Sequence, residues 1–246
     1  MTNEELTKSK QLHERRLKFL KGKLVRERRE AHADGLVTAA EAAEIHGIEG
    51  RIAKEQALIA RREEQLAKLP RGTRFIPRAE KVLLANAGAF AVGTGAKIVW
   101  HTTEGSSVDG AVHEYRKNRS APHFTLHPQT GRLVQHVPMD VAARALRHPP
   151  GIVETNKAHA IQVELVGFAE QSPDWDADDY ARIARLAREI ESACGVPRTS
   201  LATFRATQVV HLSPTKWLRG SGHCGHQHVP GNDHHDPGAL RIELIL

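Results

Sequence analysis

Lys97-Ile98-Val99-Trp100-His101-Thr102-Thr103-Glu104-Gly105 is the stretch from which the architecture can be read. Residues 97–100 suit a short buried strand, and a histidine and a polar turn follow at once. A histidine at the carboxyl end of such a strand lies where α/β sheets present groups to ligands. Working outward, strands and helices alternate. Residues 108–117 read as a helix. Residues 123–127 and 132–137 read as two strands joined by the turn Pro128-Gln129-Thr130-Gly131, a hairpin. Residues 160–166 form another apolar strand. Residues 177–193 place Tyr180, Ile183, Leu186 and Ile190 on one helical stripe, stopped by Gly195-Val196-Pro197. This mixture predicts an α/β domain with a mixed central β-sheet flanked by helices.

Two further features of that region carry chemistry. Glu164 sits between Val163 and Leu165 in an apolar strand, where a buried carboxylate is costly unless paired or functional. The run 222–238 holds His223, His226, His228, His234 and His235, with Asp233, Asp236 and Cys224, among turn-forming Gly and Pro. Such a loop can turn several imidazoles and a carboxylate inward. Two His and one Asp suffice for zinc and leave a fourth position for water, the arrangement of catalytic rather than structural sites. His223 and His228 are alternative donors within the run. With only 2 cysteines, neither a Cys-rich zinc site nor a disulfide framework is available.

Residues 1–70 differ from the rest: they contain no Trp or Tyr and are dense in Lys, Arg, Glu and Ala. Leu17, Leu20 and Leu24 recur at helical spacing, Asp34-Gly35 reads as a break, and Thr38 with Glu41 reads as a capping box. Ile45, Ile52, Ile59 and Leu66 then repeat every seven residues. The prediction is an antiparallel helical hairpin over 1–70, ended at Pro70. A connector over 71–95 with a helix at 80–91 follows, and then a domain over 96–246. The net charge of +6 implies attraction to a polyanion. Residues 1–70 carry 15 basic and 12 acidic side chains, so the excess is shared with the second domain. Aromatic-interleaved basic motifs are missing, which argues against nucleic acid. The absence of a long apolar run argues against membrane insertion. The first residues show no basic segment followed by an apolar one, so no signal peptide is expected.

From residue 97 onward the chain resembles the zinc-dependent N-acetylmuramoyl-L-alanine amidases of the type 2 amidase and peptidoglycan-recognition superfamily. Within it, the likeness is to the amidase domains of endolysins from phages of actinobacteria. The resemblance rests on five motifs in order: Trp100-His101-Thr102-Thr103-Glu104-Gly105; Pro122-His123-Phe124 with Gln135-His136-Val137-Pro138; Ala142-Ala143-Arg144-Ala145-Leu146-Arg147-His148; Ala160-Ile161-Gln162-Val163-Glu164; and Gly225-His226-Gln227-His228-Val229-Pro230 through Asp236-Pro237-Gly238. It implies His101, His226 and Asp236 as ligands of one catalytic Zn2+, Glu164 as acid/base, and His148 in the substrate groove. His234 stands where many relatives have a lysine, and is expected to steady the oxyanion. Pro122 stands where some relatives have a tyrosine, so that role passes to Glu164. The implied activity is cleavage of the amide joining N-acetylmuramic acid to L-alanine in bacterial peptidoglycan. The implied setting is a lysin made in the host cytoplasm that acts on the wall after release. The N-terminal helices are expected to self-associate or bind the wall. A non-catalytic peptidoglycan receptor and a cytoplasmic muropeptide-recycling amidase are the alternatives.

Overall fold

The structure, a computed structural model, describes residues 3–31, 38–68 and 74–246. The chain divides into two compact units, Met1–Arg71 and Gly72–Leu246.

The first unit is a pair of helices, α1 (Asn3–Ala31) and α2 (Ala39–Lys68). Ile48 is fully buried between them, and Leu17, Leu20, Leu24, Ile45, Ile52 and Ile59 are partly covered. His13 meets Glu55 at 2.6 Å and Lys23 meets Glu44 at 2.8 Å, so the helices run antiparallel. An exposed pair such as Lys23–Glu44 contributes only about 0.2–1 kcal/mol, and the apolar seam does most of the holding. The expected capping box is present: Thr38 N donates to Glu41 Oε2 at 2.8 Å, and Glu41 N donates to Thr38 Oγ1 at 3.3 Å. The expected break at Asp34-Gly35 and stop at Pro70 lie outside the described residues.

The second unit holds a six-stranded mixed sheet. In chain order its strands are β1 (Glu80–Lys81), β2 (Lys97–Thr102), β3 (Phe124–Leu126), β4 (Leu133–Gln135), β5 (Ala160–Leu165) and β6 (Gly222–Gly225). Their order across the sheet is β1-β4-β3-β5-β2-β6. Strands β3, β5, β2 and β6 are parallel, and β3 and β4 form the expected antiparallel hairpin. Three helices accompany them: α3 (Val108–Asn118), α4 (Ala177–Cys194) and α5 (Pro214–Arg219). Helix α4 packs Tyr180, Ile183, Leu186 and Ile190 in one core with Ile98, Trp100, Ile161, Val163 and Leu165. It opens with a capping box between Asp176 and Asp179, and closes on Gly195 in the left-handed conformation, φ 67. Because side chains alternate along a strand, this packing leaves Val99, His101, Gln162 and Glu164 for the opposite face.

The expected helix at 80–91 does not form. That backbone is committed to the sheet edge: Val82 N donates to Gln135 O, Leu84 N to His136 O, and Ala87 N to Ala142 O. Asn86 and Gly88, the latter at φ 89, break any helical register there. From residue 74 the stretch expected as a connector therefore runs against the sheet. Strand β6 and helix α5 are additions to the expected elements.

Several buried imidazoles are structural, and their tautomers follow from their partners. Gln162 N donates to His123 Nδ1 at 3.0 Å, so the proton is on Nε2, which donates to Val141 O at 2.9 Å. His228 repeats the pattern between Gly225 N and Thr203 O, and Trp100 Nε1 donates to His223 Nδ1. Burial is the main force pushing His123 from 6.5 down to about 4. Its folded pKa lies below its unfolded one, so the unfolded chain takes up more protons between those values, and stability is lost as pH falls through them. The stability advantage of the wild type over His123→Gln is therefore expected to shrink by about 3 kcal/mol between pH 6.5 and 4. Chemical denaturation of both proteins across that range is the measurement, and a constant difference would refute it.

Candidate metal centre

The parallel register sets the site. His101 on β2 is directly paired with Glu164 on β5. Strand β6 pairs alongside β2 up to Trp100 and Gly225, so His226 emerges at the same edge as His101. The approach to His226 is narrow: a Cβ at Gly225 would stand 2.7 Å from Pro237 Cδ and 2.9 Å from the Phe204 ring. Only glycine leaves that space free.

Asp236 reaches the same point from the loop beyond β6. Gln227 pins that loop with its amide, donating from Nε2 to the carbonyls of His235 and Gly238 at 2.9 Å each. Asn232 ties its middle, donating to the carbonyls of His226 and His234 at 2.8 Å and accepting from His234 N at 3.0 Å. Neither amide was singled out in the sequence.

The ligating atoms of His101, His226 and Asp236 all lie within 4.8 Å of one another, and all three residues are buried. His226 Nδ1 is 3.0 Å from Asp236 Oδ1, and His101 Nδ1 is 3.6 Å from Asp236 Oδ2. Tetrahedral ligands at about 2.0–2.1 Å from a zinc ion stand roughly 3.3 Å apart, so these separations suit such an ion. The donor set suits it as well. Burial, reinforced by neighbouring His226, drives His101 down to about 3, leaving a neutral imidazole. Burial opposes ionisation of Asp236, but His226, His101 and His234 outweigh it and hold the carboxyl below its ordinary value.

Glu164 Oε2 is buried without a hydrogen-bond partner among the described residues. A buried polar atom left unpaired costs about 1–3 kcal/mol, and here it faces a cleft beside three possible ligands. Glu164 Oε1 stands 3.8 Å from His101 Nδ1. Burial pushes the Glu164 carboxyl well above the usual range, and the charges of Asp236 and Glu104 add to this. His234 is half exposed. Its ring stacks on His226 at 4.7 Å between centroids, and its Nδ1 is 3.8 Å from Asp236 Oδ1.

These residues line a cleft of about 920 Å³. One wall is the segment 144–147, held by Gln162 Oε1 accepting from Ala145 N and by Asn156 bonded both ways to Leu146. His148 is outside this lining; its Nε2 is 4.0 Å from Glu154 Oε2. Of the alternative donors, His228 has both ring nitrogens bonded as described above, and His223 has Nδ1 taken by Trp100 and Nε2 turned to Glu191 Oε1 at 3.0 Å. Cys224 is also excluded, because burial pushes its thiol to about 12.

The cleft contains a group that sequence reading passed over. Tyr115 on α3 lines it. Tyr115 Oη is 3.2 Å from Thr125 Oγ1, which is 2.9 Å from His136 Nε2. Thr125 is register partner to Glu164. The direction of this chain can be assigned from its far end. Val82 O can only accept, so His136 Nδ1 carries the proton, at 3.0 Å. His136 Nε2 then accepts from Thr125, and Thr125 accepts from Tyr115. The Tyr115 hydrogen is thus committed, and toward the cleft its oxygen can only accept. The sequence offered no sign of this role beyond a helix expected over 108–117.

The model of the N-acetylmuramoyl-L-alanine amidase family matches residues 94–239. No protein of curated function matches the sequence. Among solved structures, a selenomethionine AmpD derivative is similar at 15% identity, covering 72% of this chain and 97% of that one, with a TM-score of 0.48. Staphylococcus aureus hydrolase AmiA is similar at 18% identity, covering 66% and 74%, with a TM-score of 0.41. Citrobacter freundii AmpD is similar at 14% identity, covering 67% and 86%, with a TM-score of 0.39. The family match covers more than half of the chain, including β2, β5, β6 and every residue of the metal centre, and on that ground the chain belongs to the N-acetylmuramoyl-L-alanine amidase family.

Proposed function

We propose that the protein is a zinc-dependent peptidoglycan hydrolase that cleaves the amide between N-acetylmuramic acid and L-alanine. The observation that carries this reading is the convergence of His101, His226 and Asp236 with the unpaired Glu164 Oε2 in one cleft. A receptor that only bound the wall would have no use for three buried ligands beside a buried carboxylate.

His101, His226 and Asp236 would hold the ion, which when bound would polarise the substrate carbonyl and lower the pKa of a coordinated water. Glu164 takes a proton from the attacking water at Oε2 and returns it to the leaving L-alanine nitrogen. Its raised pKa, set by burial first, lets it hold the proton between those two steps. Tyr115 Oη, able only to accept toward the cleft, holds a hydrogen of the water or of the scissile amide. His234, at the open side of the centre, offers a ring N–H to the developing oxyanion. The basic helical unit supports a phage lysin that acts on the anionic wall. Intact sacculi should therefore be better substrates than soluble muropeptides.

Three outcomes test this reading. Glu164→Gln should lower release of L-alanine-terminated stem peptides by about 10²–10⁴-fold while zinc content and melting temperature stay unchanged. Product analysis by mass spectrometry checks it, and undiminished cleavage would refute the role. Asp236→Ala should lose stoichiometric zinc in elemental analysis, whereas His228→Asn should retain zinc and lose only stability. Tyr115→Phe should lower kcat about tenfold with zinc content unchanged, the cost of one missing hydrogen bond. An unchanged kcat would remove Tyr115 from the chemistry.

A further inference from the structure

We infer that the outward stripe of α1 is a docking surface for an anionic lipid bilayer, a reading that stands or falls separately from the amidase chemistry. Helix α1 uses one side against α2, with His13 buried and Leu17, Leu20 and Leu24 partly covered. On its other side, Leu12, Arg15, Lys18, Phe19, Gly22 and Arg26 fall on two adjoining rows, 12-15-19-22-26 and 15-18-22, each stepping by three or four residues, and all are exposed. They form one continuous stripe.

Three properties separate this stripe from an ordinary solvated face. First, the charged members of this set, Arg15, Lys18 and Arg26, are all basic, although Glu14 lies one turn before Lys18 and Glu55 of α2 borders Arg15 and Phe19. Second, Arg15, Lys18 and Arg26 have no ion-pair partner among the described residues, whereas Lys23 and Arg28, off the stripe's centre, are paired with Glu44 and Glu49. Third, large apolar side chains stand among the cations: Phe19 is 68% exposed and Leu12 is 48% exposed. The cations and Phe19 frame a shallow groove of about 540 Å³, and no atom lies within 4 Å of the place where a Gly22 Cβ would stand.

Charge complementarity selects an anionic occupant, and Phe19 with Leu12 selects among anionic occupants. A phosphate polymer would pair the cations but offers no apolar phase for Phe19. A leaflet of anionic lipid offers both at once: phosphates at headgroup depth, and acyl chains just below for the apolar side chains. The long basic side chains can lie along the surface with their charges in the headgroups. No described helix is long and apolar enough to cross a membrane, so the contact is peripheral.

Co-sedimentation of the full chain with vesicles tests this, using phosphatidylcholine alone and phosphatidylcholine mixed with phosphatidylglycerol. Binding is expected only to the mixed vesicles and should weaken as salt is raised. Each cation near an anionic leaflet is worth about fivefold in partitioning, so the triple variant Arg15→Gln, Lys18→Gln, Arg26→Gln should bind about 100-fold more weakly. Phe19→Ser should weaken binding about tenfold with an unchanged salt dependence. Both variants change only exposed positions, and unchanged helicity by circular dichroism would show that the fold is intact. The proposal is overturned by equal binding to both kinds of vesicle, by no binding to the mixed ones, or by a triple variant that binds like the wild type. It is equally overturned if the chain is retained by single-stranded DNA or poly(glycerol phosphate) but not by vesicles.

Discussion

The parallel alignment of β5, β2 and β6 is the constraint on which the rest of the second unit depends. Parallel strands end at a common edge, so whatever the sequence places at those ends must share one small volume. Here that edge carries Glu164, His101 and His226, and the loop beyond β6 swings Asp236 back against them. Two carboxylates and two imidazoles in one pocket repel or strand one another unless something offsets their charge and satisfies their lone pairs, as a cation at the proposed site would. The neighbouring elements are arranged to keep the pocket in shape. Helix α4 fills the opposite face with aliphatic and aromatic side chains, which fixes the sheet as a rigid floor. Gln227 and Asn232 supply the loop with the backbone partners that a sheet would otherwise have supplied.

The sixteen histidines separate into distinct kinds on physical grounds. Those able to face an ion have a ring nitrogen turned to other site groups. His123, His228 and His136 instead have both nitrogens engaged, each with one donor and one carbonyl or hydroxyl partner, which leaves no lone pair for a ligand. These neutral rings act as rigid polar connectors: each satisfies two buried groups whose loss would cost more than the ring's own burial. The chain from Val82 O through His136 and Thr125 to Tyr115 carries this further, because it transmits a fixed hydrogen-bond polarity from the sheet edge into the cleft.

The two units use charge in different ways. In the sheet unit, charge is concentrated, buried and matched at one centre. In the helical unit it is spread along a surface, with Lys23 and Arg28 paired across the helix–helix seam. A single net charge cannot express that difference.

Much of this was legible in the chain itself. Hydrophobic periodicity marked β2, β5, the β3–β4 hairpin, α3 and α4, because each buries a face or both faces and so has to be apolar at fixed spacing. The Thr38 end of α2 followed from local backbone satisfaction, in which short polar side chains have few competitors. Ligand candidates were legible because imidazoles and carboxylates beside glycines have few structural reasons to cluster. Strand β6 was not legible: Gly222-His223-Cys224-Gly225 has neither β-branched residues nor alternation, and it is a strand only because β2 offers it an edge. Residues 80–91 had helical composition but gave their hydrogen bonds to the sheet. Tyr115, Gln227 and Asn232 were not singled out, since nothing local distinguishes a tyrosine that meets aliphatic neighbours from one that meets Thr125 at a cleft wall. The sequence by itself determined which segments must be buried and which residues can ligate. Only the tertiary structure decided which of them meet, because pairing register and hydrogen-bond polarity are set by partners far away in the chain.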